Sequence, residues 1–423
     1  MAAGTVPLFR QRNFSALWGG QLISILGERL TYLALLGLIA QHTASFTEPH
    51  RSSLLLALML NVMLAPVLLF SPFTGAWVDR CNLKRVMVVS DLLRGAIVVF
   101  VPVLYLASDR IGPVFGLVFL LFTCNVFFLP AKSAITPEIV SPPQLLLANT
   151  LLSAAGIAAT GAGALAGGWV VDHWGWEAAL YINAATYLVS VVSLLFIAYR
   201  PHETRPAATA VSVRGYLHEA REGWSLVRGS APVALGLLAL GAVWVGAGFM
   251  HVAGNQHIQR AASIPGMERL GGLLFVLGTG SGLGTWLVNR YGRGVRPTTL
   301  LGGGLLLATV GLTALAVSSR FAVFAVAGFL IGLAAAPVFV LSETLLQLGT
   351  EPRQRGRVFS ARDFLMRLLL LVSTSAAGWA TPRLGTGATL MACAAMVGVI
   401  GVVVLMWGHR DPALGATEAP AAP

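Results

Sequence analysis

Glu28 stands near the middle of the first long apolar stretch, residues 14–40, in the run "LGERLTYLALLGL". At about 1.5 Å per helical residue, that position is close to the midplane of a bilayer whose apolar core is about 30 Å thick. A carboxylate there is costly and is kept where it faces a cavity or a partner. The chemistry open to it is binding a proton, a small cation or the cationic group of a ligand, and Glu28 is the first choice for a coupling residue. Neutralisation by the neighbouring Arg29, or by a base on another helix, is the structural alternative. Further along, Asp91 and Arg94 are spaced i, i+3 and Asp363 and Arg367 i, i+4, so each pair can satisfy itself within one helix. Arg94 joins Glu28 and Arg29 as a candidate lining of the coupling and substrate cavity.

The densest charge cluster is "GAWVDRCNLKRVMVVSDLLRG", which sets Gly75, Asp79, Arg80, Lys84 and Arg85 ahead of Asp91 and Arg94, between two apolar stretches. Lys132 and Glu343 stand at corresponding ends of the fourth and tenth stretches. Charges gathered toward one membrane face can pair when that face is closed and hydrate when it opens. They would form a two-state latch of the kind that alternating access requires. Gly75, Asp79, Arg80, Lys84, Arg85, Asp91, Lys132, Glu343, Asp363 and Arg367 are the candidates for such a latch, and a gating role for them is what the family resemblance given below implies. Lys132 and Glu343 are expected to meet in an outward-open state, and Asp79 can cap the helix that starts near Ser360. The bland readings are snorkelling of Lys132 to headgroups, solvation of Glu343 and local pairing elsewhere. His251, Asn255, Gln256 and His257, near the outer end of the seventh stretch, fit an interfacial position or the lining of an exit.

These residues need a scaffold, and the composition names it. Of 423 residues, 56% are hydrophobic and 11% charged, against about 25% charged in an ordinary soluble domain. Twelve segments are long and apolar enough to cross a membrane as helices, at 14–40, 53–78, 87–107, 113–134, 145–171, 176–199, 231–253, 270–289, 298–317, 321–347, 360–382 and 386–408. The expected fold is an all-α membrane protein with two pseudo-symmetric six-helix bundles. The first bundle covers 1–199, a cytoplasmic linker with an amphipathic stretch at 213–228 covers 200–230, the second bundle covers 231–409, and a disordered Pro/Ala-rich tail covers 410–423.

The net charge of +11 rests on Arg, since Lys84 and Lys132 are the only lysines. With the N-terminus cytoplasmic, 19 of the 28 basic residues fall on inside segments and six outside, so the positive-inside rule places both termini in the cytoplasm. The charge is topology, and no polar basic face of a nucleic-acid binder exists. Cys81, Cys124 and Cys393 lack metal-ligand or redox spacing. The N-terminus lacks the features of a cleaved signal peptide, so the first apolar segment is expected to stay as a membrane helix. No HExxH, CxxC or G-x-S-x-G occurs. The Gly156 to Gly168 run has neither a preceding strand nor a following Gly-Lys-Ser/Thr, so it is no phosphate loop and instead permits close helix contact. The chain reads as no enzyme and implies no cofactor.

Gly75-x-x-x-Asp79-Arg80 followed by Lys84-Arg85, within a twelve-segment chain cut by a middle linker, resembles the loop signature of the major facilitator superfamily over about residues 10–410. A degenerate second copy, "GLGTWLVNRYGRG", comes after the eighth segment with Thr285 and Asn289 in place of the glycine and the acid. "FFLPAKSAITPEIV", "LANTLLSAAG" and "EPRQRGRVFSARD" are similar to the branch of bacterial macrolide and siderophore exporters and lysophospholipid transporters. In "GALAGG", Ala164 stands where antiporter signatures carry proline. The resemblance implies a monomeric secondary transporter in the bacterial inner membrane. It would work by alternating access, with a small-molecule or lipid substrate, membrane lipids around it and a coupling proton. Proton-coupled export of an amphiphile, lysophospholipid flipping, and a non-transporting scaffold or sensor are the readings carried forward.

Overall fold

The computed structural model describes residues 7–44, 49–78, 80–199, 230–261, 266–292, 294–350 and 355–410, so the expected linker helix and C-terminal tail lie outside the described residues. Among the described residues there is no strand. The helices are α1 (Arg12–Ala44), α2 (Pro49–Val78), α3 (Leu83–Ser108) and α4 (Ile111–Ile139), then one long stretch, Leu145–Leu195. At 51 residues that stretch would span about 75 Å as one rod, more than twice an apolar bilayer core. It breaks at Gly175, whose φ of +88° and ψ of 162° suit a residue without a Cβ. The break gives two spans, α5 (145–174) and α6 (176–195).

The second half begins with α7 (Ala231–Phe249), which continues through a π-helical turn, Met250–Gly254, into Asn255–Ala261. It goes on with α8 (Met267–Tyr291), α9 (Pro297–Val317), α10 (Phe321–Leu348), α11 (Arg355–Leu384) and α12 (Thr386–Arg410). Among the described residues eleven stretches are long and apolar enough to cross a membrane, and the break at Gly175 divides one of them, giving the twelve spans expected. Large apolar side chains such as Phe100, Leu106, Ile157 and Val317 stand exposed, as membrane-spanning helices require on the sides that meet lipid.

The chain forms two compact units. Unit 1 holds Met1–Ser45, Val62–Val213 and Gly266–Gly272; unit 2 holds Phe46–Asn61, Arg214–Pro265 and Leu273–Pro423. The N-terminal part of α2 therefore belongs with the later helices, and the first turn of α8 with the earlier ones.

In unit 1, α1 lies against α5 and α6 through small residues. A Cβ on Gly27 would come within 2.0 Å of Thr186 Oγ1 and 2.1 Å of Asn183 Oδ1, so the two helices meet where glycine leaves room. Gly163 and Gly167 of α5 face the α1 backbone near Leu26 and Leu30, which matches the role expected of that glycine run. Asp172 accepts hydrogen bonds from the backbone N–H groups of Met267 and Glu268 at 2.8 and 2.7 Å, satisfying the first turn of α8.

In unit 2, Leu235 and Ala239 of α7 pack with Leu301, Leu305 and Leu312 of α9, Val338 of α10, and Val397 and Val404 of α12. Polar bonds join α2 to this body. Ser53 Oγ donates to Gln256 Oε1 at 2.9 Å, a His251 ring nitrogen donates to the Leu56 carbonyl at 3.1 Å, and Asn61 Nδ2 donates to Ser375 Oγ at 2.8 Å. The side chains of the seventh span therefore serve as interhelical fasteners in this unit, with His257 held by Thr386 at 2.9 Å and the Ser318 carbonyl at 3.0 Å.

Gly27→Val is expected to overpack the α1–α6 contact and cost about 1–3 kcal/mol. The check is a thermal unfolding midpoint in detergent, lower for the variant than for Gly19→Val, whose added Cβ would meet nothing within 4 Å.

Candidate functional site

The charged centre of unit 1 is built from four helices. Asn82 starts α3 by accepting from the Arg85 backbone N–H at 3.1 Å, which fixes the register of the helix from its first turn. That register lays Leu83, Met87, Ser90, Asp91, Arg94, Val98 and Val101 along one buried stripe. The two ionisable residues of α3 therefore point into the helix bundle. Both side chains are essentially inaccessible, Asp91 at 0% and Arg94 at 1%.

Arg94 is the hub. Its Nη1 donates to Glu28 Oε1 of α1 at 2.8 Å and to Asn125 Oδ1 of α4 at 3.2 Å, and its Nη2 donates to Asp91 Oδ1. The other oxygen of Asp91 accepts from Ser190 Oγ of α6 at 2.7 Å. The guanidinium carbon lies 4.4 Å from the ring centre of Phe128 and 4.6 Å from that of Tyr187, within cation–π range of each. Arg94 Nε is buried with no acceptor among the described residues. Asn125, Phe128 and Lys132 recur at helical spacing on one side of α4, and Asn183, Tyr187 and Ser190 do so on α6.

Glu28 differs from Asp91 in one decisive respect: its side chain keeps 34% of its accessible surface. Asp91 and Arg94 already neutralise one another inside the bundle, so the charge of Glu28 is the one in excess within the triad. A group with an accessible face and a redundant charge can change partners without stranding Arg94, because Asp91 keeps that arginine paired.

The other candidates are spread along the chain. Arg29 is exposed and stands apart from the hydrogen bonds of the triad. Gly75 falls in the last turn of α2, and Asp79 lies outside the described residues. Arg80 and Arg85 are exposed. Lys84 donates to the carbonyls of Leu195 and Ile197 at 2.9 and 2.7 Å, so it caps the end of α6, where a cation is favoured. Lys132 is half-buried on α4.

In unit 2 the expected Asp363–Arg367 pair does not form. Arg362 takes Asp363 at 2.8 Å and also donates to Glu343 of α10, because it lies on the side of α11 nearer both carboxylates. Arg367 has no hydrogen bond or ion pair among the described residues. Sequence reasoning counts Arg362 with the cytoplasmic loop and passes over Asn125, Phe128, Tyr187 and Ser190. The visible signal for the last four is a spacing of three or four residues on apolar helices.

A centre of buried charge within twelve membrane-length helices defines a multi-pass helical membrane transporter. The sequence profile of the Major Facilitator Superfamily matches residues 17–308, and the chain belongs to that family. It is a transporter and not an enzyme. It is similar to the uncharacterized MFS-type transporter YvqJ of Bacillus subtilis (strain 168), with 25% identity over 94% of this chain and 92% of that one. It is 25% identical to the putative bacilysin exporter BacE of Bacillus amyloliquefaciens over 73% of this chain and 75% of the relative. With macrolide efflux protein A of Streptococcus pyogenes it shares 24% identity over 91% and 95% of the two chains. Among solved structures, a bacterial homologue of the iron transporter ferroportin, in an inward-facing state, superposes with a TM-score of 0.72 at 14% identity, covering 95% of this chain and all of that one. A point mutant of the nucleoside transporter NupG gives 0.71 at 12% identity, covering 92% and 99%. At such identities these two structures speak for the fold alone.

Asp91→Asn combined with Glu28→Gln removes both anions that balance a buried guanidinium, and leaving such a charge uncompensated costs about 3–5 kcal/mol. A marked fall in the thermal midpoint is expected, with a smaller fall for the double replacement Asp91→Leu with Arg94→Leu. Unfolding curves of both purified proteins in detergent check this.

Proposed function

We propose that this chain is a proton-coupled exporter of an amphiphilic small molecule, working by alternating access as a monomer in a bacterial inner membrane with both termini cytoplasmic. The single observation that carries the coupling is the half-exposed Glu28 sharing Arg94 with the enclosed Asp91. Protonation of Glu28 leaves Asp91 as the counterion of Arg94, and deprotonation restores a site for a cationic group or a new proton. The direction is supported by relatives whose names give bacilysin export and macrolide efflux. Orientation rests on the distribution of arginine among the loops.

Gating belongs to the same proposal. Gly75, Asp79, Arg80 and Arg85 at the α2–α3 connection, with Asp91, Lys132, Glu343, Asp363 and Arg367, are its elements. Lys84 acts there through the cap it places on α6. The pairing of Glu343 and Asp363 with Arg362 adds that residue to the set.

Lysophospholipid flipping is the second reading, favoured by one observation: Lys132 is half-buried in a membrane helix and has no hydrogen bond or ion pair among the described residues, as a headgroup ligand would need.

Sealed proteoliposomes with and without an imposed pH gradient separate the readings. A panel of amphiphiles and lysophospholipids is expected to show gradient-driven movement with wild-type protein and loss of that movement with Glu28→Gln. Lipid movement that ignores both the gradient and the substitution would shift the assignment to a flippase.

A further inference from the structure

Four charged side chains belong to the centre of unit 1, and their formal charges cancel: Glu28 and Asp91 against Arg94 and Lys132. Asp91 is closed off, with one oxygen on Arg94 and the other on Ser190. Two ends remain open. Glu28 engages Arg94 through Oε1, while its Oε2 accepts no hydrogen bond among the described residues. Lys132 lies one helical turn beyond Phe128, on the side of α4 that brings Asn125 and Phe128 to Arg94. Its ammonium makes no hydrogen bond or ion pair among the described residues.

This balance restricts the guest. A lone cation on Glu28 leaves Lys132 without an anion, and a lone anion on Lys132 leaves Glu28 Oε2 without a donor. A molecule carrying both charges adds none. It also meets each open end with its complement, and charge-assisted bonds of this kind are the strong ones.

We propose that Glu28 and Lys132 together recognise a zwitterion, with its ammonium on Glu28 Oε2 and its carboxylate or phosphate on Lys132. The inference rests on the exporter reading and supplies its substrate class. The same chemistry occurs in a free amino-acid-like solute and in a phosphoethanolamine lipid headgroup.

The test is a binding measurement that needs no gradient. Purified wild-type protein is titrated with alanyl-phenylalanine, its N-acetyl form and its C-terminal amide, with intrinsic tryptophan fluorescence as the readout. Lysophosphatidylethanolamine and lysophosphatidylglycerol form the lipid arm. The zwitterion of at least one arm is expected to bind about ten-fold more tightly than its singly charged partners, the loss of one charge-assisted bond. Lys132→Gln should abolish the preference of the zwitterion over the amide, and Lys132→Arg should keep it. In the same way, Glu28→Gln should abolish its preference over the N-acetyl form.

A response in the peptide arm alone identifies a solute, and one in the lipid arm alone a headgroup. Equal binding of zwitterion and singly charged forms overturns the proposal, as does a preference unchanged in Lys132→Gln, or no response in either arm from protein that still performs gradient-driven efflux. Absence of gradient-driven efflux, with the binding preference intact, would instead remove the exporter reading and leave the zwitterion site standing.

Discussion

The constraint on which the rest of unit 1 depends is the burial of one guanidinium where no water can solvate it. A cation in that position must be balanced in charge and occupied at its N–H groups. Arg94 draws its partners from four helices: Asp91 beside it, Glu28 from α1, Asn125 and Phe128 from α4, and Tyr187 from α6, with Ser190 behind Asp91. The register of each helix is tied to that convergence. Sliding α4 by one residue would turn Asn125 and Phe128 away and cost the arginine one acceptor and one ring contact. Specificity of this kind is the best-attested use of buried polar groups, and here it coincides with the place where the chain carries chemistry.

The same economy runs through unit 2, where the arginine that gathers two carboxylates, Arg362, is less deeply buried than Arg94. Lipid tails are as apolar as leucine, so apolar faces alone give membrane helices little reason to choose one another. The choice is made by close packing and by directional bonds. Ser53, His251, Gln256, Asn61 and Ser375 provide such bonds between α2 and the later helices. The π-helical turn at Met250–Gly254 stands where His251 turns toward Leu56. An extra residue in a helical turn rotates the side chains beyond it, and such turns concentrate at functional places.

The fold was largely legible because a bilayer imposes one strong rule: about twenty apolar residues per span, with every backbone group satisfied within the helix. Hydropathy alone marks twelve segments, including the split of the 51-residue stretch, which Gly175 marks by its conformation. Glu28, Asp91 and Arg94 are conspicuous as charges in apolar helices, and the Asp91–Arg94 pair forms as its spacing suggests. What spacing could not give was the choice of partner. Asp363 has Arg367 one turn away yet pairs with Arg362, because a carboxylate from α10 draws that arginine to the same spot. Lys84 belongs by motif to a charge cluster, but its ammonium is engaged by the carbonyls at the end of α6. Both outcomes are tertiary, set by which helix ends are brought together. Asn125, Phe128, Tyr187 and Ser190 were hidden for a different reason: uncharged residues in a membrane helix look like packing until a charge from another helix arrives beside them.

The break at Gly175 joins α5 to α6 with a single non-helical residue, where most of the other spans are joined by several. Such a joint has almost no slack. A tilt of α5 is passed directly to α6 as leverage, and α6 carries Tyr187 and Ser190, which hold the buried charge centre. Asp172, three residues before the break, holds the start of α8. A pull on that distant end is therefore geared through one short crank to the carboxylate and the guanidinium of the charge centre.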